Sequence, residues 1–310
     1  MFTWTPALNC NERREIPLEQ VDVVVTPKKA SPAFYWFKLL GRNKSALAGA
    51  GIFVVLIIVA LLAPLIAPFP PGAMDPSNRL LPMSGEHLFG TDGFGRDVFS
   101  RVVFGARISL SVGISVVIIT TITGIILGIL SGYYRLLDNI IMRILDGLMA
   151  FPAIILQIAI MAVLGARFIN VIIALAIVYS PRMARVVRSA VLVQKEQQYV
   201  EASRSIGAGD LRITLLHILP NCVAPIIIQG TMIFAYSVLA EASLSFLGVG
   251  MPPEIPSWGN ILEEGRVFIR RAPWLITFPG VAIALCVLAL NMFGDGLRDV
   301  LDPKIRKKQN

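Results

Sequence analysis

Tyr199–Asn221 reads YVEASRSIGAGDLRITLLHILPN, the longest polar interruption among the apolar segments of the C-terminal half. Residues 201–205 hold no helix breaker before Gly207, so a short helix is expected there. Gly207 and Gly209 allow a sharp turn that residues with a Cβ resist. Asp210 is a good N-cap for a second helical run over 211–219, which Pro220 is expected to close. The stretch reads as a helix–turn–helix elbow between two membrane spans, displayed on one side of the bilayer.

Composition supports a membrane setting. The 310 residues are 55% hydrophobic and only 15% charged, with a mean hydropathy of +0.71. Soluble domains are about a quarter charged, so this is a polytopic membrane protein. The net charge of +8 would suit nucleic acid, but its distribution follows membrane sidedness. Cys10, Cys222 and Cys286 have neither metal nor disulfide spacing and read as packing residues.

Upstream of the elbow, residues 1–45 are polar and basic, and Phe34-Tyr35-Trp36-Phe37-Lys38 suits a short helix at the membrane interface. The first apolar run starts too late and is too long for a signal peptide. Residues 46–67 form the first span and end at Pro64 and Pro68. A polar segment, 68–107, follows and contains LFGTDGFGRDVFSR, Leu88 to Arg101. Its glycines make turns, and Asp92, Arg96, Asp97 and Arg101 can pair locally. It lacks the dinucleotide and Walker spacings of a phosphate loop.

The second span is expected over 108–134, with Gly124, Gly128 and Gly132 forming a small-residue stripe for close helix packing. A short loop with Arg135, Asp138 and Arg143 precedes a third span, 147–166, bent at Pro152. The fourth runs from Phe168 to about Val193, with only fourteen uncharged residues before Arg182. Arg185 and Arg188 must then snorkel or lie outside the membrane. Beyond the elbow, a fifth span covers Val223 to about Leu247 and is interrupted by Glu241. A Pro- and Trp-rich loop with Pro256-Ser257-Trp258-Gly259-Asn260 leads to a sixth, Ala272 to Gly294. The tail GDGLRDVLDPKIRKK, Gly294 to Lys308, ends basic.

With the N-terminus inside, the inner segments hold twenty of the 28 Lys and Arg residues and the outer ones eight. The positive-inside rule then places both termini and the elbow in the cytoplasm. On this topology His87 and His217 lie on opposite sides and cannot share a metal. No catalytic constellation is present, so the chain is expected not to be an enzyme.

The order Glu-Ala-Ser, Gly207 and His-Ile-Leu-Pro closely resembles the EAA loop of ATP-binding-cassette (ABC) importer permeases. Ser203 stands where that motif has Ala, and His217 where it has an aliphatic residue. The Leu88–Arg101, Ser257–Asn260 and tail segments resemble one permease subunit of dipeptide, oligopeptide, glutathione and nickel importers, the subunit with the GTDxxGRD external loop. The likeness covers Arg42 to Lys304. It implies an all-α membrane protein with six transmembrane helices, the type I ABC importer permease fold and a cytoplasmic EAA coupling helix. The domains are then a cytoplasmic segment 1–45, a first helix 46–67, an external loop 68–107, a five-helix core 108–297 holding the coupling loop 194–222, and a cytoplasmic tail 298–310.

The resemblance also implies partners: a homologous second permease, two ATPase subunits and an extracytoplasmic substrate-binding protein, in a bacterial inner membrane. No cofactor is expected in this chain, with ATP and Mg on the ATPases. The expected coupling residues are Glu201, Ala202, Ser203, Gly207, Asp210 and Pro220. Glu201 either pairs with a basic residue of an ATPase or only caps its own helix. Glu241, deep in a span, contacts either a substrate or a neighbouring helix. Gln157, Gln229 and Tyr236 are weaker pathway candidates. Short peptides are the favoured cargo, with glutathione or nickel as alternatives. The reading from another class is an ion-coupled secondary transporter, which calls for inverted repeats that are not evident.

Overall fold

A computed structural model describes residues 43–301. The Phe34–Lys38 segment, Cys10 and the tail from residue 302 lie outside the described residues. The main helices are α1 (Lys44–Leu61), α2 (Val98–Tyr133), α3 (Arg135–Met149), α4 (Ala153–Leu164), α5 (Phe168–Lys195), α6 (Gln198–Ser205), α7 (Val223–Phe246), α8 (Trp258–Gly265) and α9 (Trp274–Leu301). Among the described residues, extended pairing is limited to one isolated bridge, Thr91 to Asp97. Five helical runs are long and apolar enough to cross a membrane, and the bent pair α3–α4 makes a sixth when counted as one span. In lipid a helix satisfies its own backbone groups, which is why the apolar sequence takes this form throughout.

Several boundaries differ from expectation. α2 begins at Val98, ten residues before Ile108, because Asp97 caps it by accepting from Ser100 N at 2.8 Å. Its 36 residues span about 54 Å at 1.5 Å rise each. Arg101 lies inside this helix, where carboxylates neutralise it. At the other end of the chain α9 continues to Leu301, so the expected boundary at 297 falls within a helix.

The stretch after α2 is also different. The expected loop with Arg135, Asp138 and Arg143 is the helix α3, turned 92° from α4. Pro152 breaks the pair: it lacks an N–H and disfavours helical geometry at Phe151 before it. Arg185 and Arg188 of α5 are both ion-paired. Arg188 Nε and Nη2 donate to Asp138 at 2.6 and 2.7 Å, and Arg185 Nη2 to Asp146 at 2.5 Å. These ion pairs tie α3 against α5.

Packing centres on α2, which touches α5 along one face and α7 along another. The stripe Gly124, Gly128 and Gly132 lies against Met183, Val187 and Val191 of α5. A Cβ on Gly128 would sit 2.5 Å from Val187 Cβ, and one on Gly132 would sit 2.8 Å from Val191 Cγ1. α1 runs along α9 in the same manner, where a Cβ on Gly49 would come within 2.7 Å of the Ala289 carbonyl oxygen. Two buried clusters result, one around α2, α4 and α5 and the other around α2, α7, α8 and α9.

Replacing Gly128 by Leu should force α2 and α5 apart. Overpacking typically costs about 1–3 kcal/mol. The expected result is a lower thermal midpoint for the detergent-solubilised protein, whereas Gly147→Leu, at a glycine with nothing within 4 Å of its Cβ position, should leave it unchanged.

Candidate functional site

The elbow is built from α6, a turn at 206–209 and a composite second limb. Gly207 has φ +83 and a Cβ there would meet nothing within 4 Å, so glycine is required by backbone conformation alone. Gly209, with φ −70, occupies the N-cap of the next turn, Asp210–Ile213. Asp210 is therefore not the cap that was expected. Its carboxylate is engaged elsewhere: Tyr133, at the end of α2, donates its hydroxyl to Asp210 Oδ1 at 2.5 Å. Arg204 Nη2 donates to the same phenol oxygen at 3.3 Å, and Lys195 Nζ donates to the Tyr133 carbonyl at 3.0 Å. Both limbs of the elbow are thus tied to one residue of α2.

Pro220 does not close the second limb. The turn Asp210–Ile213 passes into a π-helical segment, Thr214–Ile218, then a 3-10 turn, Leu219–Cys222, and directly into α7. Leu219 N–H bonds to Thr214 O, five residues back, and this widened turn accommodates a proline without ending the helix. Tyr199 braces the run, its hydroxyl donating to Gln194 Oε1 at 2.7 Å and accepting from Asn221 Nδ2 at 3.3 Å. Burial pushes the Tyr199 phenol above its ordinary pKa, with the Asn221 bond pulling the other way.

Val200, Ile213 and Ile218 anchor the elbow in the core, while its other face is open. Glu201 and Ala202 are exposed and Ser203 is half-buried. Ile206, Leu211 and Leu216 are 85%, 74% and 61% exposed. The Glu201 carboxylate makes no hydrogen bond among the described residues, and α6 has no side-chain cap at its N-terminus. Glu201 does not cap its own helix. The elbow instead presents one unpaired carboxylate among exposed apolar side chains.

Of the two readings of Glu241, the structure shows the contacts to a neighbouring helix. Glu241 is wholly buried, with Oε2 accepting from Ser109 Oγ of α2 and Oε1 from Ser245 Oγ, both at 3.0 Å. Ser257, just before α8, lies beside it. Ser109 Oγ in turn accepts from Trp258 N at 3.3 Å, and Trp258 Nε1 donates to Val102 O at 3.0 Å. Glu241 therefore joins α7 to α2 and to the start of α8. Ser237 is likewise buried, donating to the Ile233 carbonyl, so no polar stripe runs along α7 to a surface. Gln229 is half-buried, Gln157 is buried, and Tyr236 is 46% exposed.

A second network was only partly legible. Asp92 receives Arg96 Nε and Arg101 Nη1, both at 2.6 Å, but Glu264, far along the chain on α8, completes the cluster. Arg96 Nη2 reaches Glu264 Oε2 at 2.5 Å, and Arg101 Nη2 reaches Oε1 at 3.0 Å. Asp97 pairs with His87 Nδ1 at 3.0 Å instead of an arginine. No local signal marks Glu264, because the pairing spans more than 160 residues.

With this geometry in place, comparison with known proteins is decisive. Residues 124–307 match the family described as binding-protein-dependent transport system inner membrane component. The chain belongs to this family. Residues 31–82 also match the N-terminal transmembrane domain of oligopeptide transport permease C. The permease is 48% identical over 271 residues to the dipeptide transport system permease protein DppC of Alkalihalophilus pseudofirmus, covering 87% of this chain and 89% of that one. It is 45% identical over 298 residues to the glutathione transport system permease protein GsiD of Escherichia coli, covering 96% and 98%. A chain of the inward-facing methionine ABC transporter MetNI shares the fold, with a TM-score of 0.55 and 20% identity over 65% of this chain and 97% of that one. The permease therefore has the type I importer fold and is a membrane-spanning transport subunit, which sets aside the ion-coupled alternative.

The Glu241 environment makes a testable statement. Glu241→Gln keeps both side-chain positions filled, so stability and transport should stay near those of the unaltered permease. Glu241→Leu leaves the hydroxyls of Ser109 and Ser245 without their acceptor, at about 1–3 kcal/mol for each buried group left unsatisfied. Thermal unfolding in detergent should show a clear loss for Leu and little for Gln.

Proposed function

We propose that this permease forms half of the translocation pathway of an ATP-driven importer of short peptides. Its partners are a second, homologous permease, two ATPase subunits that carry ATP and Mg, and an extracytoplasmic binding protein that delivers the cargo. The observation that carries the coupling half of this reading is the elbow: Glu201, unpaired and exposed beside Ala202 and Ser203, over a turn that needs glycine at 207. A carboxylate presented this way suits a basic residue of an ATPase cleft, and the apolar residues around it suit a closely fitted surface. The relatives named for dipeptide and glutathione transport support a small peptidic cargo.

Alternating access follows when nucleotide-driven closure of the ATPases draws two such elbows together and tips the helices attached to them. Both termini and the elbow are assigned to the cytoplasm on the distribution of Lys and Arg. A reporter active only outside should be active when fused near Gly85 or Pro256 and silent near Gly209. Activity at Gly209 would refute the assignment of the elbow to the ATPases.

In the reconstituted complex, Glu201→Ala should remove a charge-assisted contact of about 1.5–3 kcal/mol. Gly207→Val should strain the turn, whose φ +83 a β-branched residue rarely adopts. Both variants should insert and fold. Peptide uptake and substrate-stimulated ATP hydrolysis should fall together, and normal stimulated hydrolysis in both would remove the coupling role.

A further inference from the structure

Arg182 carries a guanidinium at the middle of α5 that neither the elbow nor the buried networks use. It is the fifteenth of the 28 residues of α5, and Tyr236 is the fourteenth of 24 in α7. The guanidinium carbon lies 5.5 Å from the ring centroid of Tyr179 and 5.5 Å from that of Tyr236. The two rings are stacked 6.5 Å apart. Further along α5, Arg185 and Arg188 are each neutralised by an aspartate of α3. Arg182 has no ion pair or hydrogen bond among the described residues. The other carboxylate at hand on α7, Glu241, is enclosed by hydroxyls.

Two further features point to a ligand. Gln157 of α4 lies beside the Tyr179 phenol. It is 1% exposed, and its Nε2 makes no hydrogen bond of good geometry to that phenol or to any other described residue. The cluster is also open on one side, since Tyr236 is 46% exposed while Tyr179 is buried. Aromatic faces attract a cation without neutralising it or occupying its N–H groups. A cation held in an apolar span is costly unless something pairs with it, and a guanidinium presents a planar fork matched to a carboxylate.

We propose that Arg182, with Tyr179, Tyr236 and Gln157, forms a transit site for the substrate's carboxylate within the translocation pathway. The inference rests on the peptide-import reading and deepens it. Arg182 takes the carboxylate of the peptide, Gln157 offers its unused amide, and the exposed face of Tyr236 lies along the peptide chain. An incoming ligand, unlike a fixed side chain, explains why a cation and an amide donor beside the same tyrosine are both unsatisfied among the described residues. A free amino group is repelled from the same place.

The test uses the complete complex in proteoliposomes: both permeases, the ATPases and binding protein saturated with a dipeptide. Arg182→Gln should slow uptake about tenfold or more, the loss expected when a charge-assisted pair becomes neutral. Arg182→Lys should recover most of it. Basal ATP hydrolysis and the thermal midpoint of the complex should match the unaltered protein in both variants. Unchanged uptake by Arg182→Gln overturns the proposal, as does an equal loss in both variants. Loss of uptake together with a lowered thermal midpoint also overturns it, because the counter-charge then belongs to a neighbouring subunit. If the unaltered complex takes up no peptide, the import reading fails and this site with it; normal uptake beside an unaffected Arg182→Gln removes only the site.

Discussion

The contact between α2 and α5 sets the geometry on which the rest of the permease depends. Three glycines four residues apart let the two helices approach until Val187 and Val191 occupy the space of the missing side chains. Apolar side chains gain little by leaving lipid for one another, so such contacts rely on close packing. This one fixes where α2 ends. Tyr133 is its last residue, and there it meets Lys195 at the end of α5 and Arg204 and Asp210 of the elbow. The orientation of the elbow is thus inherited from a packing contact inside the membrane.

Several charged groups are neutralised by partners brought in from elsewhere in the chain. Arg96 and Arg101 share Asp92 and Glu264, while Arg185 and Arg188 take aspartates from α3. Glu241 is answered by the hydroxyl groups of Ser109 and Ser245. Each of these joins segments distant in sequence, and a buried polar group left half-satisfied is more costly than one removed with its partners. Arg182 instead has two aromatic rings beside its guanidinium.

Much of this was legible in the sequence. Hydropathy located the spans, the glycine stripe marked the face of α2 that meets α5, and the positive φ at Gly207 follows from the turn that its neighbours demand. The readings that failed share a physical cause. Charge was taken to mark a loop at Arg101 and around Asp138, whereas partners far along the chain neutralise both residues inside helices. Asp210 was read as a cap from its local position, although Tyr133, 77 residues away, claims its carboxylate. Glu241 left two readings open, substrate or neighbouring helix, because its hydroxyl partner on α2 is beyond the reach of a local pattern.

The widened turn at Thr214–Ile218 lets the elbow's second limb run into α7 without a stop, so that Asp210–Phe246 is one helical rod of 37 residues. At 1.5 Å per residue such a rod is about 55 Å long, and a tilt of roughly 10° about its middle moves each end by about 5 Å. Glu241 and its serines grip the rod near its far end, and Tyr133 grips it near the elbow. Tyr236 lies between these two grips, so the second limb of the elbow and this ring share one continuous helix, and a displacement at one end would be felt at the other.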